Sequence, residues 1–234
     1  IGWRLDDVVD LIRGPKGSIV RLQIRSDPKT GNSGSRVLTL TRDEIKLEEQ
    51  ASQSSLLEVR DTEQIRRIGV IDIPTFYVDF DARSRGDADY RSTTRDVRRL
   101  IRELEDEGID GLIIDLRGNG GGALAEATAL TGLFIDSGPV VQVRDARGRT
   151  RVNRDPSDDL AYAGPLAVIV DRDSASASEI FSGAIQDYHR GIIVGEPTYG
   201  KGTVQNLIDL DRYSEDPEQQ LGQLKLTIAQ FFRI

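Results

Sequence analysis

The chain has 234 residues, 38% of them hydrophobic and 30% charged, with 31 Lys and Arg against 39 Asp and Glu for a formal net charge of -8. This is globular chemistry: a chain of this length removes about 70% of its extended surface from water on folding, and its acidic balance argues against a non-specific nucleic-acid binder. Zero Cys excludes disulfides, thiolate nucleophiles and cysteine-ligated zinc, and a single His, His189, excludes a multi-histidine metal centre.

In chain order, Leu5, Val8, Val9, Leu11 and Ile12 recur at helical spacing, and Arg13-Gly14-Pro15 ends that helix. Two alternating stretches, 18–24 and 36–41, predict a strand pair joined by the polar turn 27–34. Residues 43–63 are polar and acidic and predict a strand leading into a linker. From Gly69 strand and helix alternate. A strand is expected over 70–78, broken at Pro74, then an amphipathic helix over 92–107 ended by Gly108. Strand 111–116, apolar on both faces, leads into a glycine cluster and a helix over 123–134. The apolar strand 166–170 precedes a helix over 176–188 and a short strand over 191–195. Strands over 204–210 and 224–232 flank an acidic loop, 211–220. Short apolar strands alternating with helices predict an α/β layered fold whose sheet is covered on both sides.

Three segments carry candidate chemistry. Asp115-Leu-Arg-Gly-Asn-Gly-Gly-Gly-Ala123 lies between a buried strand and a helix. Gly118, Gly120 and Ala123 satisfy the dinucleotide pattern G-x-G-x-x-G/A, with Asp136 near the place of a ribose-binding acid. The same turn equally suits a tight junction needing positive φ, or an oxyanion site built from free N–H groups. Ser174-Ala-Ser176-Ala-Ser178-Glu179 opens a helix; Ser176 with Glu179 has the form of a capping box, and a serine there also lies near unpaired N–H groups. Gly195-Glu-Pro-Thr-Tyr-Gly200-Lys201 matches a P-loop until Gly202 stands where Ser or Thr should bind magnesium. The following Val204-Gln-Asn-Leu-Ile is strand-like, which excludes the NTPase reading and leaves a lysine in a glycine-flanked turn, with Gln205 four residues on.

His189 cannot serve Ser176 as base. It lies 13 residues further along the same predicted helix, about 20 Å away at 1.5 Å per residue. A carboxylate near its usual pKa is a weak base towards a hydroxyl. A neutral lysine suffices, and Ser-Lys pairs are a variant of triad chemistry; such a lysine must shed its proton below the reference value of about 10.4, as burial permits.

These segments, in this order, resemble the carboxyl-terminal processing (tail-specific) proteases, serine peptidases with a PDZ domain and a crotonase-like core. Asp115 to Gly122 is similar to the family's D-L-R-x-N-x-G-G turn, Ser174 to Glu179 to its nucleophile segment, and Gly200-Lys-Gly-Thr-Val-Gln205 to its lysine segment. The 25-residue interval between Ser176 and Lys201 selects Ser176 over Ser174 and Ser178. Ala184-Ile-Gln-Asp187 and Phe231-Phe-Arg233 resemble the bacterial tail-specific branch, and Gly2 to Gly14 resembles the closing helix of the PDZ domain.

The resemblance implies an α/β, crotonase-like layered core with a partial PDZ domain at the amino end. Residues 1–45 would be the carboxyl-terminal part of the PDZ domain, 46–68 a linker or connecting strand, and 69–234 the protease core. With Met absent, the chain is expected to be a processed product or an excised fragment, the family's Gly-Gly-Ser-Thr-Gln stretch falling after Ile234. It further implies a serine endopeptidase with Ser176 as nucleophile, Lys201 as base and Gln205 orienting the lysine amine. Gly121 or Gly122, together with Ala177, would hold the oxyanion. No cofactor or metal is expected. Expected partners are protein or peptide substrates with apolar free carboxyl termini and an adaptor lipoprotein; the expected location is the periplasm of the bacterial envelope. Two rivals stand beside it: a catalytically silent peptide-binding relative, and a dinucleotide-binding oxidoreductase motivated by the glycine turn alone.

Overall fold

The computed structural model describes residues 12, 14–25, 35–43, 51–60, 64–155, 160–214 and 221–234. Two compact units divide the chain, Ile1–Glu49 and Gln50–Ile234. In the first, β1 (Ile19–Arg25) and β2 (Ser35–Thr41) pair antiparallel in the register Leu22↔Leu38, as the alternation predicts. Of the helix expected over 5–12 only Ile12 is described, and the turn 27–34 lies outside the described residues.

The second unit is built on a five-stranded sheet. Within the stretch read as a connecting strand and linker, β3 (Gln53–Arg60) pairs antiparallel with β4 (Ile65–Asp72). Three parallel neighbours follow: β5 (Gly111–Asp115), β8 (Leu166–Val170) and β9 (Ile192–Gly195). The order across the sheet is β3-β4-β5-β8-β9. Strands β5 and β8 are the near-continuous apolar runs expected of strands covered on both faces. The strand expected over 70–78 ends at Asp72; beyond Pro74 only single bridges form, Phe76 with Gly122 and Val78 with Ser92. A second, antiparallel sheet has the order β10-β11-β6-β7, from β6 (Pro139–Asp145), β7 (Thr150–Arg154), β10 (Thr203–Asp209) and β11 (Gln223–Phe232). The β6–β7 hairpin adds strands where none is predicted.

Among the described residues of the unit there are four α-helices: the short α1 (Phe80–Ser84), α2 (Thr93–Asp106), α3 (Leu124–Gly132) and α4 (Ala177–Asp187). Helix α2 starts at Ser92, whose side chain accepts the N–H of Arg95, and buries Val97, Leu100, Ile101 and Leu104 along one stripe. Gly108, at φ 74, follows its last turn. Helix α4 is different in kind. Its residues from Ala177 to Ile185, Glu179 excepted, are buried, so it is a core helix and its first turn is fixed by packing. Phe181 on α4 meets Phe134 edge to face, ring centroids 5.7 Å apart, inside a cluster that also holds Ile71, Ile114, Leu116, Leu130 and Val168. No described helix is long and apolar enough to cross a membrane.

Truncating Phe181 to Ala removes one ring of that pair and leaves a cavity under α4. The expected loss is about 3–5 kcal/mol of unfolding free energy, read as a lower urea midpoint at unchanged slope.

Candidate active site

Strands β5, β8 and β9 end on the same edge of the sheet, and each of the three segments singled out in the sequence follows one of them. After β5, the Asp115 carboxylate accepts the Arg117 N–H at 3.0 Å and pairs with its guanidinium through Nε and Nη2. The chain then turns through Gly118 to Gly122. Asn119, fully buried, donates its amide to Ile73 O (2.7 Å) and accepts the N–H of Gly121 (2.8 Å). At Gly121 (φ 103) a Cβ would lie 2.8 Å from Ser176 Cβ, and at Gly122 (φ 147) a Cβ would lie 2.1 Å from Phe76 O. Glycine is required at both places by the close approach of neighbouring chain.

After β8, the Asp171 carboxylate collects the N–H groups of Gly118, Asp173 and Ser174. These bonds hold its pKa below the usual carboxylate value, the Gly118 N–H contributing most. The three candidate serines then separate by environment. Ser174 is buried and donates its hydroxyl to Leu116 O (2.8 Å); Ser178 is buried and donates to Asn119 O (2.9 Å). Ser176 is half-buried, stands at the N-cap of α4 with φ 56 and ψ -109, and lines an open cavity of about 640 Å³. A non-glycine residue at positive φ is uncommon and costs about 1–3 kcal/mol, so the surrounding structure imposes it. The same cavity is lined by Gly120, Gly122, Ala177, Lys201 and Gln205.

After β9, the chain returns through Thr198 to Lys201 along the serine turn. Tyr199 N–H donates to Ser174 O (3.0 Å). The Glu179 carboxylate accepts the N–H of Ser176 (2.7 Å), Gly200 (2.6 Å) and Lys201 (2.9 Å) and the Thr198 hydroxyl (2.9 Å). Lys201 is half-buried. Thr203 then pairs with Gln230 of β11, and Phe231 N–H returns to Gly202 O (3.0 Å). Arg233, just beyond β11, forms an ion pair with Asp187 at the far end of α4.

Two of the expected site residues have further partners. The N–H of Gly121 is committed to Asn119, so of the two glycines proposed as donors Gly122 is the one that combines a cavity position with no such commitment. Gln205 donates its amide to Thr227 Oγ1 (3.4 Å). His189 follows the C-cap Tyr188 at the other end of α4 from Ser176, and is exposed. Asp136, the acid of the dinucleotide reading, lines a separate cavity with Phe134, Leu160 and Arg190. Among the described residues, no three of His, Cys, Asp and Glu gather as metal ligands do.

Residues 67–234 match the model of peptidase family S41. The chain belongs to this family. Over all 234 residues it is 46% identical to a tail-specific protease of Haemophilus influenzae, of which it covers 31%. It is 35% identical over 206 residues, 87% of this chain and 36% of the relative, to the chloroplastic carboxyl-terminal-processing peptidase 2 of Arabidopsis thaliana. Among solved structures, the photosystem II D1 C-terminal processing protease superposes with a TM-score of 0.69 at 27% identity, covering 99% of this chain and 55% of that one. The chain thus spans about a third of the length of these two sequence relatives.

Within this S41 chain, Asn119, Asp171 and Glu179 do work at the site that is not read from sequence. Glu179 carries the one local signal, its place three residues after Ser176; its partners at 198–201 lie in a separate turn. For Asp171, the sign of the pH effect follows from its lowered pKa. It favours the folded junction above the unfolded carboxylate value of about 3.9, and that contribution is lost as pH falls through the lower folded value. Thermal unfolding against pH is expected to show Asp171→Asn less stable than the parent at pH 7, the gap closing below about pH 4. Gly122→Ala is expected to lower unfolding free energy by at least about 2 kcal/mol, because the clash is with backbone oxygen and cannot be relieved by a rotamer.

Proposed function

We propose that this chain carries the catalytic core of a serine endopeptidase that works by a Ser-Lys dyad. The observation that carries the reading is the cavity lined by Ser176, Lys201, Ala177 and Gly122, where Ser176 alone of the three candidate serines does not donate its hydroxyl to a buried carbonyl. Ser176 Oγ attacks the scissile carbonyl carbon while the neutral Lys201 amine takes its proton. The N–H groups of Ala177, at the start of α4, and of Gly122 stabilise the oxyanion, each donor of this kind being worth about 100- to 1000-fold in rate. Collapse of the tetrahedral intermediate breaks the C–N bond, and Lys201 returns the proton to the leaving amine. Water, deprotonated by the same lysine, then hydrolyses the acyl-enzyme. Gln205, with its N–H turned to Thr227, keeps its carbonyl oxygen for the lysine amine.

The wider reading rests on the resemblance and on the names of the relatives. Residues 69–234 form a crotonase-like protease core, and residues 1–45, with the β1–β2 hairpin, the carboxyl-terminal part of a PDZ domain. Substrates are proteins offering apolar free carboxyl termini, which a PDZ groove takes up as an added strand. An adaptor lipoprotein and the bacterial periplasm complete the setting.

The test is cleavage of a reporter protein with an apolar tail by the protein as its gene encodes it. Ser176→Ala and Lys201→Ala are each expected to lower kcat by at least about 1000-fold with the thermal transition retained. Undiminished cleavage in either variant rejects the dyad.

A further inference from the structure

We infer that Glu179 is a positioning residue that fixes the approach of the base to the nucleophile; this rests on the Ser176–Lys201 reading above. In an ordinary capping box, the acid three residues into a helix serves only the N–H of the N-cap. Here that bond, from Ser176, is one of four, and the other three come from 19 to 22 residues downstream. A carboxylate has about four lone-pair sites, and the four donors fill them. One oxygen, Oε2, accepts from Ser176 N (2.7 Å) and from Lys201 N (2.9 Å). The backbones of nucleophile and base therefore cannot lie further apart than those two bonds laid end to end. The other oxygen, Oε1, holds the Thr198 hydroxyl and the Gly200 N–H, which aligns the turn that leads into Lys201.

The serine side of this bridge is rigid, because α4 is buried along nearly its whole length. The lysine side is a glycine-flanked turn with Tyr199 exposed, and outside the Glu179 carboxylate its described backbone link to the nucleophile segment is Tyr199 N–H to Ser174 O. The carboxylate thus lies between a fixed element and an adjustable one. A glutamine there keeps one acceptor oxygen and turns an NH2 group toward N–H donors, so it cannot hold the same four partners. Misplacement of a catalytic group by about 1 Å costs up to 100-fold.

The experiment compares the parent with Glu179→Gln, Thr198→Val, Lys201→Ala and the double variant Glu179→Gln/Lys201→Ala, in the protein as its gene encodes it. Reporter cleavage gives kcat and KM; the rate at which a fluorophosphonate probe labels Ser176, followed against pH, reports the nucleophile directly even in slow variants. Glu179→Gln is expected to lower kcat about 10- to 100-fold with KM within about threefold. The pH at which labelling rises should move, and Glu179→Gln should cost no further labelling in the Lys201→Ala background. Equal losses in both backgrounds, or no loss in the parent, overturn the inference. Parent-like cleavage by Lys201→Ala overturns the dyad instead, a distinct result. If Glu179→Gln loses its thermal transition, Thr198→Val removes one donor and leaves the carboxylate, and is expected to lower kcat about threefold with the same non-additivity.

Discussion

The edge that carries the candidate site exists because four strands run the same way. Strands β4, β5, β8 and β9 are parallel and in fixed register, Asp72 beside Asp115, Asp115 beside Ile169, and Ile169 beside Val194. A slip of one residue in any of them would exchange its two faces, and in β5 and β8 the residues of one face, Leu112, Ile114, Leu166, Val168 and Val170, are buried in the core. The register is therefore set by the whole core. Once set, it brings the residues following β5, β8 and β9 to one edge, the usual position for sites in parallel sheets. The glycine turn, the serine turn and the lysine turn are neighbours for that reason, although 25 residues separate Ser176 from Lys201 and more than 50 separate Gly122 from Ser176.

What joins the three turns is polar and largely dry. Asn119, Ser174 and Ser178 are fully buried, and each side chain has its bonds: Asn119 to Ile73 and Gly121, Ser174 to Leu116, Ser178 to Asn119. A buried polar group that is left unpaired costs more than a paired one gains, so such a network is strongly selective for one arrangement. It holds the glycine turn against the start of α4, where the Ser176 side chain caps the first turn as an acceptor and donates to no buried carbonyl. The neighbouring serines donate to buried carbonyls, and Ser176 faces the cavity.

Much of this is legible in the chain. Helix α2 shows itself through a capping serine, a periodic apolar stripe and a terminating glycine. Strands β5 and β8 show themselves as apolar runs bounded by turns, and Ser176 and Lys201 through motif and spacing. The β6–β7 hairpin is missed because only Val140 and Val141 are buried, while Arg144, Arg149 and Arg151 give it the look of a solvated loop. Its signal was the Asp145-Ala-Arg-Gly148 turn, with Gly148 at φ 78 and the Asp145 carboxylate taking two N–H groups. Strand β4 stops earlier than its apolar pattern suggests because Pro74 lacks the N–H that a ladder needs. The parts of Glu179 and Asn119 are illegible for another reason: their bonds reach segments brought near only by strand order, and no local pattern encodes that.

The backbone at Ser176 also decides which alcohol the cleft can hold. Threonine would bring an equivalent hydroxyl, but a β-branched side chain is a severe misfit at φ 56. Its extra methyl would sit on the carbon against which Gly121 is already closely packed. The preference for a primary over a secondary alcohol at this helix start is thus steric in origin, written into main-chain torsion before any question of reactivity arises.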